Sequence, residues 1–444
     1  MARRIALVCL TPDPDTAEHG AHHLPSFGIR RIEAAARAAP GLDGCDIRLF
    51  DLRQADRAGF LARLRAFDPD LVGFSIYVWS APQLIDLARD LKTQKPDTAV
   101  VFGGPSARTA FFDLPPYRGA QGYLDAVVEG DGEDIFVRIA QCDPLDRHAL
   151  QQIGGLALPC GDGQWIRTGA APPLDMGSLA SPFQMGLMPA GSVAYLETFR
   201  GCPLSCRFCE WGVAKDLRAV FPEDYLVAEL AAFRSLRASA VFLLDAGLNL
   251  NGHAFRNLAA AHAREPALRD TQFWAEVYPA SLKPDHLAFL DQVGTSYLGV
   301  GLQSTDQAVL KAHDRPQNGA RFDPAVRALA EVAQVEIQII FGLPGETPDG
   351  FMRTLQYALS LPVDVRAYHC LVLPDALLTR SRREWNLRFD PRTLAMISNS
   401  TWSRDDIAAM RRRLSGLVQG RGGFSGDFWW SFKRERPGKG ARRA

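Results

Sequence analysis

The sequence predicts an α/β protein of two successive units, and three observations predict it. Short apolar runs alternate with helical stretches over the first 140 residues. The same rhythm resumes from Val193 to about Pro374. Glycine or small polar residues stand at the ends of the apolar runs, where such folds bind ligands. The first stretch reads as a doubly wound, Rossmann-like unit over 1–145. A linker over 146–190 joins it to an α/β barrel over 191–375, and a small C-terminal segment fills 376–444.

The elements follow in order. Arg4 to Leu10 is an apolar run that Pro12 interrupts, so it reads as a buried first strand. Ser26 to Ala39 is helical, with Ser26 as N-cap. Asp46 to Leu52 reads as a strand and Arg57 to Phe67 as a helix. Leu71 to Val78 is a strand, Pro82 to Thr93 a helix, and Ala99 to Phe102 a strand. Ala126 to Val128 is a short strand and Glu133 to Ala140 a helix. This alternation means a parallel sheet covered on both faces. Three strand ends are distinctive: Gly73-Phe74-Ser75-Ile76-Tyr77-Val78-Trp79-Ser80, Phe102-Gly103-Gly104-Pro105, and Val128-Glu129-Gly130-Asp131-Gly132-Glu133. Glycine there lets the backbone approach a bulky ligand, and Ser75 supplies a hydroxyl.

Six prolines between Pro144 and Pro189 keep the linker irregular. Gly154 to Leu158 and Gln164 to Ile166 flank a glycine-rich turn, which suggests a hairpin. In the second unit Val193 to Glu197 is a strand and Pro222 to Leu236 a helix. Ala240 to Leu244 is a strand that ends at Asp245 and Asn249. Phe273 to Tyr278 holds Glu276. Tyr297 to Val300 leads to Gln303, Glu336 to Ile340 leads to Gly342, and Ala367 to Leu373 comes last. The C-terminal segment holds helical pieces around Ser403 to Gly416. An aromatic block around Phe424 to Phe432 either lines a pocket or docks the tail. The basic run from Lys433 onward reads as solvated.

Between the first two strands of the second unit lies Arg200-Gly201-Cys202-Pro203-Leu204-Ser205-Cys206-Arg207-Phe208-Cys209-Glu210-Trp211-Gly212. Three thiolates spaced C-x3-C-x2-C on one loop can hold three irons of a [4Fe–4S] cluster and leave the fourth open. Zinc would need a second ligand pair, and none follows. The remaining cysteines, Cys9, Cys45, Cys142, Cys160 and Cys370, have no framework spacing. They read as thiols of a reducing, cytoplasmic compartment. With 50 basic and 50 acidic residues the chain has no field to draw nucleic acid. No apolar run approaches the length of a membrane span, so neither nucleic acid nor membrane is expected as a partner.

The cysteine run, with Phe208 before the third Cys and Trp211-Gly212 after it, resembles the cluster loop of radical S-adenosylmethionine (SAM) enzymes. The three glycine-rich strand ends upstream resemble the cobalamin-binding domain of the cobalamin-dependent members of that family. The resemblance covers about residues 1 to 375 and implies a partial (β/α)6 barrel. It implies three cofactors: a [4Fe–4S] cluster on Cys202, Cys206 and Cys209, SAM on its open iron, and cobalamin. Around SAM it places Phe208, Trp211, Gly212, Asp245, Asn249, Glu276, Gln303 and Gly342. Around cobalamin it places Ser75, Tyr77, Trp79, Gly103, Gly104, Pro105, Glu129, Gly130, Gly132 and Glu133. The D-x-H-x-x-G run that supplies a cobalt-ligating His in many such domains is missing. His19, His22 and His23 lack its spacing. The resemblance therefore suggests base-off cobalamin, with Trp79 near its lower face.

The implied activity is methyl transfer from SAM, via methylcobalamin, to a carbon of a small specialised metabolite or a peptide. An electron donor such as flavodoxin or ferredoxin is implied as partner. The alternative is a cyclase or ring-rearranging enzyme on the same cofactors. A tRNA-modifying enzyme would carry a basic RNA-binding module, and a cobalamin sensor would need no cysteine loop. No catalytic side chain is legible.

Overall fold

The computed structural model describes residues 3–11, 22–52, 57–161, 163–211 and 219–434. Its first sheet has seven strands: β1 (Arg4–Leu10), β2 (Asp46–Leu52), β3 (Leu71–Ser75), β4 (Ala99–Gly103), β5 (Ala126–Val128), β6 (Leu156–Pro159) and β7 (Trp165–Arg167). They lie in the order β2-β1-β3-β4-β5-β6-β7. The first five are parallel, and the order reverses beside β1, where an open sheet opens a crevice at its carboxyl edge. Helices Arg57–Phe67 and Ala81–Gln94 cover one face, and helices Phe27–Ala38 and Gly132–Gln141 the other. Apolar runs such as Leu71-Val72-Gly73-Phe74 are therefore buried on both sides. The expected hairpin forms as the antiparallel pair β6 and β7 and extends this sheet beyond β5.

The strand expected to reach Val78 stops at Ser75. Ser80 explains the early end: its Oγ accepts the Tyr77 N–H at 3.0 Å, and its own N–H reaches Tyr77 O. That side-chain turn outcompetes further pairing, as serine does wherever it can bond nearby backbone.

The second sheet holds six parallel strands in sequence order: β8 (Ala194–Leu196), β9 (Ala240–Leu243), β10 (Gln272–Glu276), β11 (Ser296–Gln303), β12 (Gln334–Phe341) and β13 (Asp364–His369). This is the expected partial barrel. The last strand, expected over Ala367 to Leu373, begins and ends earlier. The C-terminal segment closes the β13 edge with β16 (Phe424–Ser425) and β17 (Trp429–Phe432), both antiparallel, while β14 (Arg388–Phe389) and β15 (Met396–Ser398) pair apart. Of the two readings of the aromatic block, docking is what the fold uses for Trp430 and Phe432, which are buried against the barrel core. Trp429 turns to the other face, under the Arg366 guanidinium. Among the described residues no helix is long and apolar enough to cross a membrane.

Candidate active site between the two units

The cysteine loop leaves the carboxyl end of β8 and lies across the barrel mouth. Cys202 and Cys206 are buried and Cys209 is half-buried. Burial pushes the Cys209 thiol up to about 11, and the neighbouring Cys206 and Cys202 add to the shift, so the three sulfurs sense one another. Among the described residues no three His, Cys, Asp or Glu side chains close tightly enough to hold a single metal ion. An all-thiol set on one loop suits an iron–sulfur cluster, whose irons each take one cysteine sulfur beside the bridging sulfides. Two arginines shape the loop, and sequence reasoning found neither. Arg380 donates to the carbonyls of Ser205, Cys206 and Cys209. Arg315 lies 3.9 Å from Cys206 Sγ, donates to Gly301 O at 2.8 Å and stacks over Tyr278. Each acts across a hundred residues or more of sequence, so no local spacing announces it.

Period-two alternation turns Glu276, Gly299, Gly301, Gln303 and Gln338 into the barrel lumen. Gly299 leaves room there for Glu276, since a Cβ would come 2.3 Å from Glu276 Oε1. Gln338 Nε2 donates to Glu276 Oε1 at 2.9 Å, and burial pushes the Glu276 carboxyl up to about 7. Gln303 sits at a bulge between β11 and β12 with φ +66°. Its Oε1 is buried without a hydrogen-bond partner, as is Arg315 Nε. Unsatisfied buried polar atoms beside a thiol loop are what a polar ligand such as SAM would satisfy.

Two other residues expected around SAM are committed elsewhere. Asn249 exchanges two hydrogen bonds with the Tyr278 backbone, at 2.8 and 2.9 Å. Asp245 accepts from Thr198 and Phe199, at the end of β8. Gly342 has φ +82°, and its carbonyl accepts from Asn399. Phe208 packs beside His313, which stacks on Trp385 at 4.5 Å, while Trp211 is exposed. Gly212 lies outside the described residues.

The residues expected around cobalamin lie at the carboxyl ends of β3, β4 and β5. Strand register aligns Cys9, Ser75 and Gly103. Gly104 has φ +98°, and a Cβ there would meet Ile76 O at 2.8 Å and Ile76 N at 2.9 Å. Only glycine fits, and this keeps the turn flat and open beside Pro105. Tyr77 and Trp79 stack at 4.5 Å, with Trp79 57% exposed. Glu129 pairs with Arg167 and accepts from the Thr109 N–H. Gly130 is exposed, and Gly132 packs close to Ile32. Glu133 is buried and faces Arg200, the residue that opens the cysteine loop. His22 lies away from these turns, with Nδ1 3.0 Å from Ser239 Oγ and its ring edge on Trp274. His19 lies outside the described residues. The glycine-lined turns thus meet the two ends of the thiol loop, the Glu133 turn through Arg200 and the Gly104 turn through Arg108 and Asp375.

Comparison with known proteins identifies both units. Residues 18–140 match the family model for the B12 binding domain, and residues 196–358 match that of the radical SAM superfamily. The chain is 27% identical over 359 residues to the cobalamin-dependent radical SAM methyltransferase TokK of Streptomyces tokunonensis. It is 29% identical over 363 residues to the 2-(S-pantetheinyl)-carbapenam-3-carboxylate methyltransferase of Streptantibioticus cattleyicolor. Each match covers 74% of this chain and 51% of the relative, so the chain spans about half the length of those curated relatives. An anaerobic magnesium-protoporphyrin IX monomethyl ester cyclase of Cereibacter sphaeroides is 26% identical over 319 residues, covering 67% of this chain and 50% of that protein. The fold is similar to that of TsrM from Kitasatospora setae, with TM-score 0.66 and 19% identity, covering 87% of this chain and 76% of TsrM. It is also similar to that of OxsB, with TM-score 0.70 and 12% identity, covering 95% and 67%.

Proposed function

We propose, for a chain that joins a B12-binding domain to a radical SAM domain and so belongs to the cobalamin-dependent radical SAM family, that it moves the methyl group of SAM to a carbon of a small metabolite or a peptide. The observation that carries the reading is the facing of two sites across one interface: the Gly104 and Gly132 turns on one side and the Cys202–Cys209 loop on the other. Relatives named as methyltransferases support methyl transfer over cyclisation. When bound, cobalamin supplies a methyl-carrying cobalt, and the cluster with SAM supplies a carbon-centred radical.

The residues have separable tasks in this reading. Cys202, Cys206 and Cys209 hold the cluster, and Arg380 fixes the loop carbonyls that aim them. Gln303, Glu276 and Arg315 offer one unpaired acceptor, one near-neutral carboxyl and one cation to SAM. Ser75, Gly103, Gly104, Glu129 and the Gly130 to Gly132 turn bed the cobalamin. The Ser75 and Glu133 side chains are buried, which holds these turns in place. The site of action is cytoplasmic, and the reductant is a small electron-transfer protein.

The test is anaerobic reconstitution with iron, sulfide and cobalamin, then incubation with SAM and candidate acceptors. Methylated product with S-adenosylhomocysteine in the mass spectrum supports the reading. Deoxyadenosine with an unmethylated, ring-closed product supports cyclisation instead. Cys206→Ala should lose cluster iron and all SAM cleavage. SAM cleavage that survives in the triple alanine variant would sink the cluster assignment.

A further inference from the structure

The cysteine loop has two ends, and each is tied to a different glycine turn of the first unit. At the upstream end Arg200 immediately precedes Gly201-Cys202. Its Nη2 donates to Glu133 Oε1 at 2.6 Å and its Nη1 to Glu133 Oε2 at 3.3 Å and Asp131 Oδ1 at 3.0 Å. Its Nε reaches Glu197 Oε1 at 3.1 Å. Glu197 is held from the other side by Arg31 Nη2 at 3.0 Å, and Arg31 is itself buried on the helix Phe27–Ala38. At the downstream end Glu210 follows Cys209 and accepts the Asp375 N–H at 3.3 Å. The Asp375 carboxylate pairs with Arg108 Nε, and Arg108 Nη1 donates to Ala107 O at 2.9 Å and Gly104 O at 3.4 Å.

These contacts are directional. A guanidinium that meets a carboxylate with two donors fixes angle as well as distance. Apolar packing alone would let one unit slide over the other. The Arg200 and Glu133 side chains are only 16% and 6% exposed, so either one left alone would be a poorly solvated charge. The Gly132–Glu133 turn and the Gly104 turn are thus each joined by polar contacts to one end of the cysteine loop.

We propose that Arg200 and Arg108 are positioning residues that couple the two cofactor sites, so that building the cluster raises the affinity of the first unit for cobalamin. This rests on the functional reading above. Coupling free energies are reciprocal, so cobalamin then also favours the cluster-bearing form of the loop.

The experiment compares hydroxocobalamin affinity, by absorbance titration, in cluster-free and cluster-reconstituted protein. The wild type should bind about tenfold more tightly once the cluster is built, within the range of such couplings. In Glu133→Gln and in Arg108→Gln that ratio should fall severalfold, and in the double variant it should approach one. The ratio matters rather than the affinity, because any direct effect of Glu133 on cobalamin cancels in it. A merely structural role would lower stability in both forms and leave the ratio unchanged. Arg108→Gln keeps the test open if the buried variants fold poorly, since Arg108 and Asp375 are partly solvated. A wild-type ratio of one, or the wild-type ratio in folded variants, overturns the coupling while the functional reading stands. A wild type that takes up no cobalamin overturns both.

Discussion

Asp245 holds Thr198 by its backbone and by its hydroxyl at once. Oδ1 accepts the Thr198 N–H at 2.8 Å and the Phe199 N–H at 3.4 Å, while Oδ2 accepts from Thr198 Oγ1. Both residues are buried. A carboxylate at the end of β9 thus fixes the end of β8, four residues before the first cysteine of the loop. Asp245→Ala would strand three buried donors, each worth about 1–3 kcal/mol when left unsatisfied. We expect a marked fall in the denaturation midpoint and less iron and sulfide retained on reconstitution. A midpoint equal to that of the wild type would show that Asp245 does not hold the loop.

Asp245 and Glu276 also predict how stability follows pH. Burial pushes both carboxyls up to about 7 in the folded protein, and for Glu276 the nearby Glu336 adds to the effect. In the unfolded chain both titrate near 4. Between about pH 4 and 7 the folded state therefore holds protons that the unfolded state has released, so these two groups make stability fall as pH rises through that window. Above about pH 7 they add no further slope. Urea unfolding of the cluster-free protein at pH 5, 6, 7 and 8 checks this. Asp245→Asn combined with Glu276→Gln should flatten the fall, and an undiminished slope in that variant would assign it to other groups.

Gly104→Ala tests the bed of the first unit. The added methyl would overlap Ile76 N and O in a backbone conformation with φ +98°. Strain of this kind costs about 1–3 kcal/mol, and relief by moving the turn would shift Gly103 and Ser75 with it. We expect a modest loss of thermal stability and a large loss of bound cobalamin after reconstitution and desalting. Full retention of cobalamin would mean that the turn does not touch the cofactor.

The contrast between these sites and the rest of the chain shows what the residue pattern could carry. The alternation of strand and helix was legible because apolar runs such as Leu71 to Phe74 must be buried on both faces, wherever they pair. The cysteine triad was legible because its chemistry lies within eight residues. Arg315 and Arg380 were not, because each reaches the loop from more than a hundred residues away. Gln303 was legible as a strand end, but not as a bulged residue with positive φ, since tertiary pairing with β12 imposes that geometry. The Glu133 turn looked like a ligand loop from its glycines alone. Its bond to Arg200 appears only when the two units meet. The aromatic block stayed ambiguous because a strand that closes a sheet edge has one face in the core and one in the lumen, as Trp430 and Trp429 do.

Trp79 separates packing from cofactor tuning. Its indole stacks on Tyr77 with an interplanar angle of 15° and is otherwise open, so Trp79→Ala should cost about 1 kcal/mol or less in stability. If the ring faces the lower side of cobalt, as the family resemblance implies, its removal admits water there. Reduction from Co(II) to Co(I) favours cobalt without an axial ligand, so the variant should have a lower potential and slower cobalamin methylation. Deoxyadenosine formation, which depends on the cysteine loop, should change less. Trp79→His should go further and place a nitrogen on cobalt, visible as superhyperfine splitting in the paramagnetic resonance of the Co(II) form. The wild type should show no such splitting, because His22 is engaged with Ser239 and Trp274 on the other unit. Nitrogen splitting in the wild type, or equal potentials in wild type and Trp79→Ala, would remove Trp79 from the cobalt environment.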